Sequence, residues 1–278
     1  MTQYTWADGR HETDIVRLWK QGFPQDTEED IRTFLRTFRR DARCLLLEED
    51  NTVCSMAFLI PAVMVHSGAE RPLWYVYAAT TATERRGEGL FSQLLEEIAR
   101  RACDENVYGL FLRPGTPSLF SYYERHGFQT TFFTEEFSCK AKQLCSNNET
   151  VVWQSVTSHH AVCRQYWLSL CGVPHILWSQ PATAYAVDLL EKGGMVASTK
   201  GMAMYRREND TLIVTELLCK PQDRETVLYS LARHFTCQKI TVVLPPTAAK
   251  NARPYGMFRA VAATDTADGG WYMGFSLE

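Results

Sequence analysis

The sequence predicts an α/β protein whose mixed sheets are flanked by helices, with the same plan laid down twice along the chain. Three observations lead there. Helical and strand-like hydrophobic periods alternate through the chain. The order helices, three strands, helix, strand runs once up to about residue 140 and again after residue 159. Between the two lies a polar stretch, 141–150, containing Lys-Gln-Leu-Cys-Ser-Asn-Asn-Glu-Thr. Set against a prior of roughly 150 residues per domain, the 278 residues suit two domains, placed at 1–143 and 150–278. The halves share no visible sequence similarity, so the repeat is one of architecture.

In the first half, Ile15, Leu18, Trp19 and Phe23 fall at helical spacing and Pro24 ends the helix. Thr27 caps a second helix, with Asp30 three residues on and Ile31, Leu35 and Phe38 on one face. Residues 43–47 and 53–65 are apolar runs joined by Glu49-Asp50-Asn51, the pattern of an antiparallel hairpin. Residues 73–79, rich in aromatics, form a third strand. Leu90, Phe91, Leu94, Leu95, Ile98 and Ala102 make the apolar stripe of a helix. A strand at 108–112, a short helix at 116–125 and strands at 128–133 and 136–140 follow.

In the second half, helices are expected at 159–171 and 182–190, and strands at 195–198, 202–206 and 211–218. A helix at 225–235 turns Val227, Leu228, Leu231 and Ala232 inward, and strands at 240–244, 256–261 and 271–276 close the chain.

Composition removes several classes. Hydrophobic residues at 45% and charged residues at 22% are ordinary for a globular protein and argue against disorder. A net charge of −3 gives no electrostatic basis for binding nucleic acid or an anionic membrane. The longest apolar run, near Met56–Val65, is far short of the ~20 residues that span a bilayer. The N-terminus has neither the basic start nor the apolar run of a secretory signal. The nine cysteines are scattered without a Cys-x-x-Cys pair. They suit small core residues in a reducing compartment, hence a cytoplasmic protein with no zinc site. His159-His160 cannot readily share one metal ion, since neighbours on a helix point about 100° apart, and is expected to be a capping or surface pair.

The chemically informative passage runs from Tyr75 to Phe91, a strand leading into a glycine-bearing turn and then an amphipathic helix. Gly87 and Gly89 put no side chain in the way of a ligand, and the first-turn N–H groups of a helix have no internal partner. With the helix dipole they form an anion site, and Arg85 and Arg86 add cationic charge beside it; a diphosphate is the natural guest. The structural alternative is a tight turn with a close helix–strand contact. There is neither a Gly-x-Gly-x-x-Gly nor a Gly-Lys-Ser/Thr motif, so dinucleotide and nucleoside triphosphate are not supported. A second passage, Ser121-Tyr-Tyr-Glu-Arg-His-Gly-Phe128, ends a short helix on a glycine.

Together, Arg85-Arg-Gly-Glu-Gly-Leu-Phe91 and Tyr122-Tyr-Glu-Arg-His-Gly-Phe128 make residues 1 to about 140 resemble the GNAT superfamily of N-acetyltransferases. The resemblance implies a tandem GNAT-like (acyl-CoA N-acyltransferase) fold and acetyl-CoA as co-substrate. It implies that Arg85, Arg86, Gly87, Glu88, Gly89, Leu90 and Phe91 hold the diphosphate, Phe91 standing where the family has Gly or Ala. It implies that the backbone of Ala78, Ala79, Thr80 and Thr81 pairs with the pantetheine arm, and that Tyr123 protonates the departing thiolate. An amine attacks the thioester directly, so no nucleophilic serine or cysteine is needed; an N–H near Ala79 is suited to the developing oxyanion. Glu84, Glu88 and Glu136 are the candidate bases. No metal is implied.

Residues 150–278 resemble the degenerate second domain of bacterial two-domain members, through Met202-Ala-Met-Tyr-Arg-Arg, Leu212-Ile-Val-Thr-Glu-Leu, Pro254-Tyr-Gly-Met-Phe and Trp271-Tyr-Met-Gly-Phe-Ser-Leu. Cys219-Lys-Pro-Gln-Asp-Arg-Glu-Thr226 stands where the glycine loop belongs, so this half is expected to bind no cofactor. The expected activity is N-acetylation of a primary amine on a small molecule or peptide. The alternatives are a non-catalytic acyl-CoA-binding module and a transferase of aminoacyl or longer acyl groups. The sequence leaves the acceptor and the oligomeric state open.

Overall fold

The computed structural model describes residues 1–144, 149, 151–246, 252–261 and 270–277. The chain divides into two compact units: Met1–Val63, Glu70–Thr130 and Met257–Ala267 in one, and Met64–Ala69, Thr131–Gly256 and Asp268–Glu278 in the other. Of the expected break at 141–150, residues 145–148 and 150 lie outside the described residues, Cys145 among them. The other eight cysteines are unpaired thiols.

The first unit runs β1 (Thr2–Trp6), α1 (Glu12–Gly22), α2 (Glu28–Thr37), β2 (Arg43–Glu49), β3 (Thr52–His66, in this unit to Val63), β4 (Ala69–Thr81, in this unit from Glu70), α3 (Leu90–Asp104), β5 (Gly109–Leu112) and α4 (Pro117–Glu124). The hairpin read from the apolar runs is real: β2 and β3 pair antiparallel from Arg43↔Leu59 to Glu49↔Thr52. Thr27 caps α2 as expected, in a box whose second member is Asp30. The stripe of α3 buries Leu90, Leu94, Leu95, Ile98, Ala99 and Ala102, about 1.5–3 kcal/mol for each large side chain. β1 carries little periodicity, being five residues long with none of them fully buried; it pairs antiparallel with β2, Trp6 opposite Leu45.

The second unit follows with β6 (Gln129–Lys140, in this unit from Thr131), β7 (Gln154–Ser155), α5 (His160–Cys171), β8 (His175–Trp178), α6 (Gln180–Asp188), β9 (Gly193–Ala197), β10 (Gly201–Glu208), β11 (Thr211–Cys219), α7 (Arg224–His234) and β12 (Lys239–Leu244). A last strand, β13 (Arg253–Ala260), returns to the first unit from Met257 and pairs with β5. The repeat of element order holds: helices, three strands, helix, strand, with β11 parallel to β12 as β4 is parallel to β5.

Three expectations need correction. The strands expected at 128–133 and 136–140 are one continuous strand, β6. His160 is not a surface residue: it is buried, its Nε2 3.0 Å from the Val156 carbonyl, while His159 sits at the N-cap with φ +56° and makes no capping bond. The closing strand at 271–276 is an irregular segment, touching strand neighbours only through single bridges at Trp271 and Tyr272. Side chains hold it instead. Arg164, buried in α5, forms a bidentate pair with Glu216 at 2.8 and 2.9 Å and donates to the carbonyls of Ile176 and Met273. Trp178 Nε1 also donates to the Met273 carbonyl, at 3.0 Å. Gly274, at φ +84°, lies so close that a Cβ there would stand 2.1 Å from Arg164 Nη2 and 2.5 Å from Glu216 Oε1. Glu216→Ala leaves a buried guanidinium without its carboxylate and is expected to cost about 3–5 kcal/mol, measured by urea unfolding; a loss under about 1 kcal/mol contradicts this account.

Candidate active site

The site begins with a change of face in β4. Trp74 and Val76 belong to the core beneath α3, and Ala79, three residues beyond Val76, packs against that same core. Tyr75 and Tyr77 face the other way: Tyr77 meets Trp19 of α1 and Phe34 of α2. Beyond the change Thr80 takes that side, filling the space a Cβ on Gly22 would need. Strict alternation along a strand forbids both shifts. Ala78 accounts for them, with φ +46° inside the strand. A non-glycine residue there carries strain of about 1–2 kcal/mol, and such bulges re-aim strands beside functional sites.

The same strand also parts from its neighbour. The β4–β5 ladder consists of Leu73↔Gly109, Trp74↔Leu110 and Tyr75↔Phe111 and then stops, whereas β4 continues to Thr81. Past Tyr75 the β5-facing edge of β4 therefore has no ladder partner from β5. On the other side β3 keeps its hold: Ser55 Oγ donates to the Thr80 carbonyl at 3.1 Å, and the Ala82 N–H donates to the Cys54 carbonyl at 2.8 Å.

At the end of β4 the chain makes a 3-10 turn, Thr83–Arg85, and enters α3 through Gly87 (φ +87°) and Gly89 (φ +76°, the N-cap). Side chains disfavour both conformations, which explains the glycines. A Cβ on either residue would meet only open space, so the turn is an uncovered cradle and not a close-packed contact. The N–H groups of Leu90, Phe91 and Ser92 open α3 and have no intrahelical acceptor.

The two arginines hold the cradle in place. Arg86 donates to the carbonyls of Thr81 (3.2 Å) and Gln21 (2.9 Å), and the Gln21 side chain accepts from the Thr83 N–H at 2.9 Å. Arg85 pairs with Glu88 and Glu49, both at 2.7 Å, and its Nη1 lies 3.3 Å from Cys54 Sγ. These bonds hold the carboxyls of Glu49 and Glu88 below the usual carboxylate range. The partners Gln21, Glu49 and Cys54 lie far off along the chain, where no local pattern points to them.

Tyr123 is buried in the last turn of α4, in the core that holds Val76 and Leu90 and receives Ala79 and Phe91. Its ring stands edge-on to Tyr122 at 5.3 Å and to Phe128 at 5.6 Å. The structure thus gathers Ala79, Leu90, Phe91 and Tyr123 around one cluster. Phe91 stacks on Tyr122 at 6.2 Å and is only partly exposed. A further link has no local signature in the sequence: Ser92 Oγ lies 3.1 Å from the Tyr122 hydroxyl and 3.1 Å from His126 Nε2, tying the first turn of α3 to α4. Burial pushes the His126 imidazole below its usual range, against the nearby Glu96 charge. Among the candidate bases, Glu88 is paired with Arg85, Glu84 is exposed, and Glu136 lies on β6 of the second unit, 3.1 Å from Arg253. No group of His, Cys, Asp and Glu suited to a metal occurs among the described residues.

Residues 7–131 match the family model described as an acetyltransferase (GNAT) domain. No curated protein matches the sequence. Among solved structures, the chain is similar to a probable N-acyltransferase from Enterococcus faecalis at 15% identity and TM-score 0.80, covering 94% of this chain and 73% of that one. It is also similar to a GCN5-related N-acetyltransferase from Anabaena variabilis (14%, TM-score 0.78, 94% and 73% covered). A third is Eis1 from Mycobacterium abscessus (11%, TM-score 0.72, 94% and 74% covered). At these identities the likeness is one of fold.

Two outcomes test the α3–α4 link. Ser92→Ala removes the hydroxyl shared by Tyr122 and His126 and is expected to cost about 1–2 kcal/mol in chemical denaturation. Since the folded-state pKa of His126 is depressed, the unfolded chain takes up its proton first as pH falls. Stability should drop below the ordinary histidine value of 6.5 and hold above it. His126→Gln should flatten that part of the acid limb; an unchanged limb shows that His126 does not contribute.

Proposed function

We propose that this chain, whose residues 7–131 match the acetyltransferase (GNAT) domain model, is an acetyl-CoA-dependent N-acetyltransferase acting on a primary amine. The observation that supports this most directly is the joint arrangement of a β4 edge that runs past the end of its ladder with β5 at Tyr75, a positive φ at Ala78 where the strand changes face, and an uncovered glycine cradle at Gly87–Gly89. An extended amide-bearing arm with a diphosphate at one end fits these features. The edge of Ala78–Thr81 offers it backbone partners, and the N–H groups of Gly87–Phe91 face its negative charge.

Acetyl-CoA supplies the activated acetyl group. In our reading Ala79, just past the bulge, directs an N–H at the carbonyl oxygen that gains negative charge as the amine nitrogen bonds to the acetyl carbon. Tyr123 gives its phenolic proton to the sulfur as the carbon–sulfur bond breaks, and regains one through solvent as the amine nitrogen releases its own on becoming an amide. Arg85 and Arg86 act by fixing the turn, so that the cradle is preformed. The Tyr123 ring is held among Phe91, Tyr122 and Phe128. The acceptor is a small molecule or a peptide bearing an amine. Unpaired thiols among the described cysteines fit a reducing compartment such as the cytoplasm.

We assign the cofactor to the first unit alone. In the second unit the turn Pro221–Asp223 passes straight into α7 with no glycine, and Asp223 is tied to Lys200 at 3.0 Å. Glu216 lies as far past the first β11–β12 pair, Thr211↔Lys239, as Ala78 lies past Leu73↔Gly109. A buried carboxylate bonded to Arg164 thus stands where the first unit has a small residue at a bulge.

Tyr123→Phe should lower turnover by about 10²–10⁴-fold while acetyl-CoA affinity, measured by calorimetry, stays the same. Retained turnover dismisses Tyr123 as the acid, and a chain that binds acetyl-CoA yet acetylates nothing in a panel of amines is a binding module. Gly89→Val forces a side chain into a left-handed conformation at a cost of about 1–2 kcal/mol, with no steric clash. It should weaken acetyl-CoA at least about tenfold with little change in folding; unchanged affinity argues against the cradle as the diphosphate site.

A further inference from the structure

A concavity lies in the first unit, away from β4 and α3. It is a groove of about 750 Å³ between the helices α1 and α2 and the sheet edge formed by β1 and β2, within the ~300–1,000 Å³ typical of small-molecule sites. None of the residues placed in the acetyl-transfer site lines it. Its floor is apolar, made of Phe34, Phe38 and Phe58, and Trp6 forms one wall. Four arginines, Arg32, Arg36, Arg39 and Arg43, line it together with only two carboxylates, Asp8 and Glu12.

Those two carboxylates are committed elsewhere. Asp8 caps the turn that starts at Gly9 and binds Arg10, which holds its carboxyl down at about 2. Glu12 pairs with Arg32. Arg43 reaches Glu105 at 2.7 Å while its guanidinium lies 4.2 Å over the Trp6 ring. Arg36 is bound to Glu29 at 2.6 Å, but both side chains are largely in water, and exposed pairs of this kind exchange partners easily. Arg39 is exposed and has no ion-pair partner among the described residues. The groove therefore combines an aromatic floor with a cationic rim whose charge its own carboxylates do not balance.

We propose that this groove binds an amphipathic anion: an apolar chain or ring system that ends in a carboxylate or phosphate. The apolar body lies on Phe38 and Trp6, where burial of its surface drives binding. The anionic end meets the guanidinium groups of Arg36 and Arg39, whose forked donors suit both headgroups.

Titration calorimetry of the full chain with dodecanoate and with dodecyl phosphate, each below its micelle concentration, reads the site. One or both should bind with a single equivalent, and dodecyltrimethylammonium at least about tenfold more weakly. The double substitution R36Q/R39Q, at exposed positions in the last turn of α2 and in the turn that follows it, should weaken the anion by about tenfold or more. Saturating acetyl-CoA should leave the anion's affinity unchanged. Ala42→Trp, which fills the groove, should abolish binding if circular dichroism shows it folded; R36Q/R39Q carries the test if it does not. Lack of binding by both anions, equal binding of the cation, undiminished binding by R36Q/R39Q, or displacement by acetyl-CoA each overturns the proposal.

Discussion

Everything that makes the first unit usable depends on one residue's backbone. At Ala78 the chain takes a positive φ inside a strand and exchanges the two faces of the sheet. Before it, Trp74 and Val76 feed the core under α3, and Tyr75 and Tyr77 feed the aromatic cluster of Trp19 and Phe34. After it, the assignment is reversed, with Ala79 on the α3 side and Thr80 against Gly22 of α1. A strand in regular alternation would send the Ala79 and Thr80 side chains to the opposite faces. The strain at Ala78 is small beside the burial on both faces of β4, which is why the surrounding packing can maintain it.

A second consequence concerns electrostatics. Arg85 and Arg86 look, in sequence, like cations waiting for a phosphate. In the structure they are bonded to Glu49, Glu88, Thr81 and Gln21. Ion pairs exposed to this degree add little stability, so their main effect is geometric: they pin a turn that contains two left-handed glycines and would otherwise have much backbone freedom to lose. Positive potential at the cradle then comes from peptide N–H groups and the α3 dipole, which do not reorganise when charge arrives.

How far the sequence discloses this varies with the range of the interaction. The amphipathic helices, the β2–β3 hairpin and the Thr27 cap are local patterns, and each is legible from residues within one or two turns. The glycine loop is legible for the same reason. The bulge is not, because alanine has no preference for positive φ and nothing adjacent announces it. Ser92 and His126 are 34 residues apart and are joined only by the packing of α3 on α4. The last segment, 271–277, carries the apolar composition of a strand, yet it is held by a guanidinium from α5, which no local pattern can indicate.

The two units show what happens to one architecture when the critical position changes. Where the first has Ala78, the second has Glu216, wholly buried and bonded to Arg164. Desolvating such a pair costs about as much as the attraction returns, so an apolar replacement would often serve stability equally well. The pair instead supplies direction: Arg164 reaches Glu216, Ile176 and Met273 at once, and Gly274 has no room for a side chain beside it. Polar bonds of fixed geometry set one path for a segment that has no sheet ladder to guide it. The same point in the plan thus carries a strained small residue in one unit and a buried ion pair that directs a neighbouring segment in the other. Both strands run on past their ladders, β4 beyond Tyr75 and β11 beyond Val214, so the units differ at this point in the side chain and in what it is bonded to.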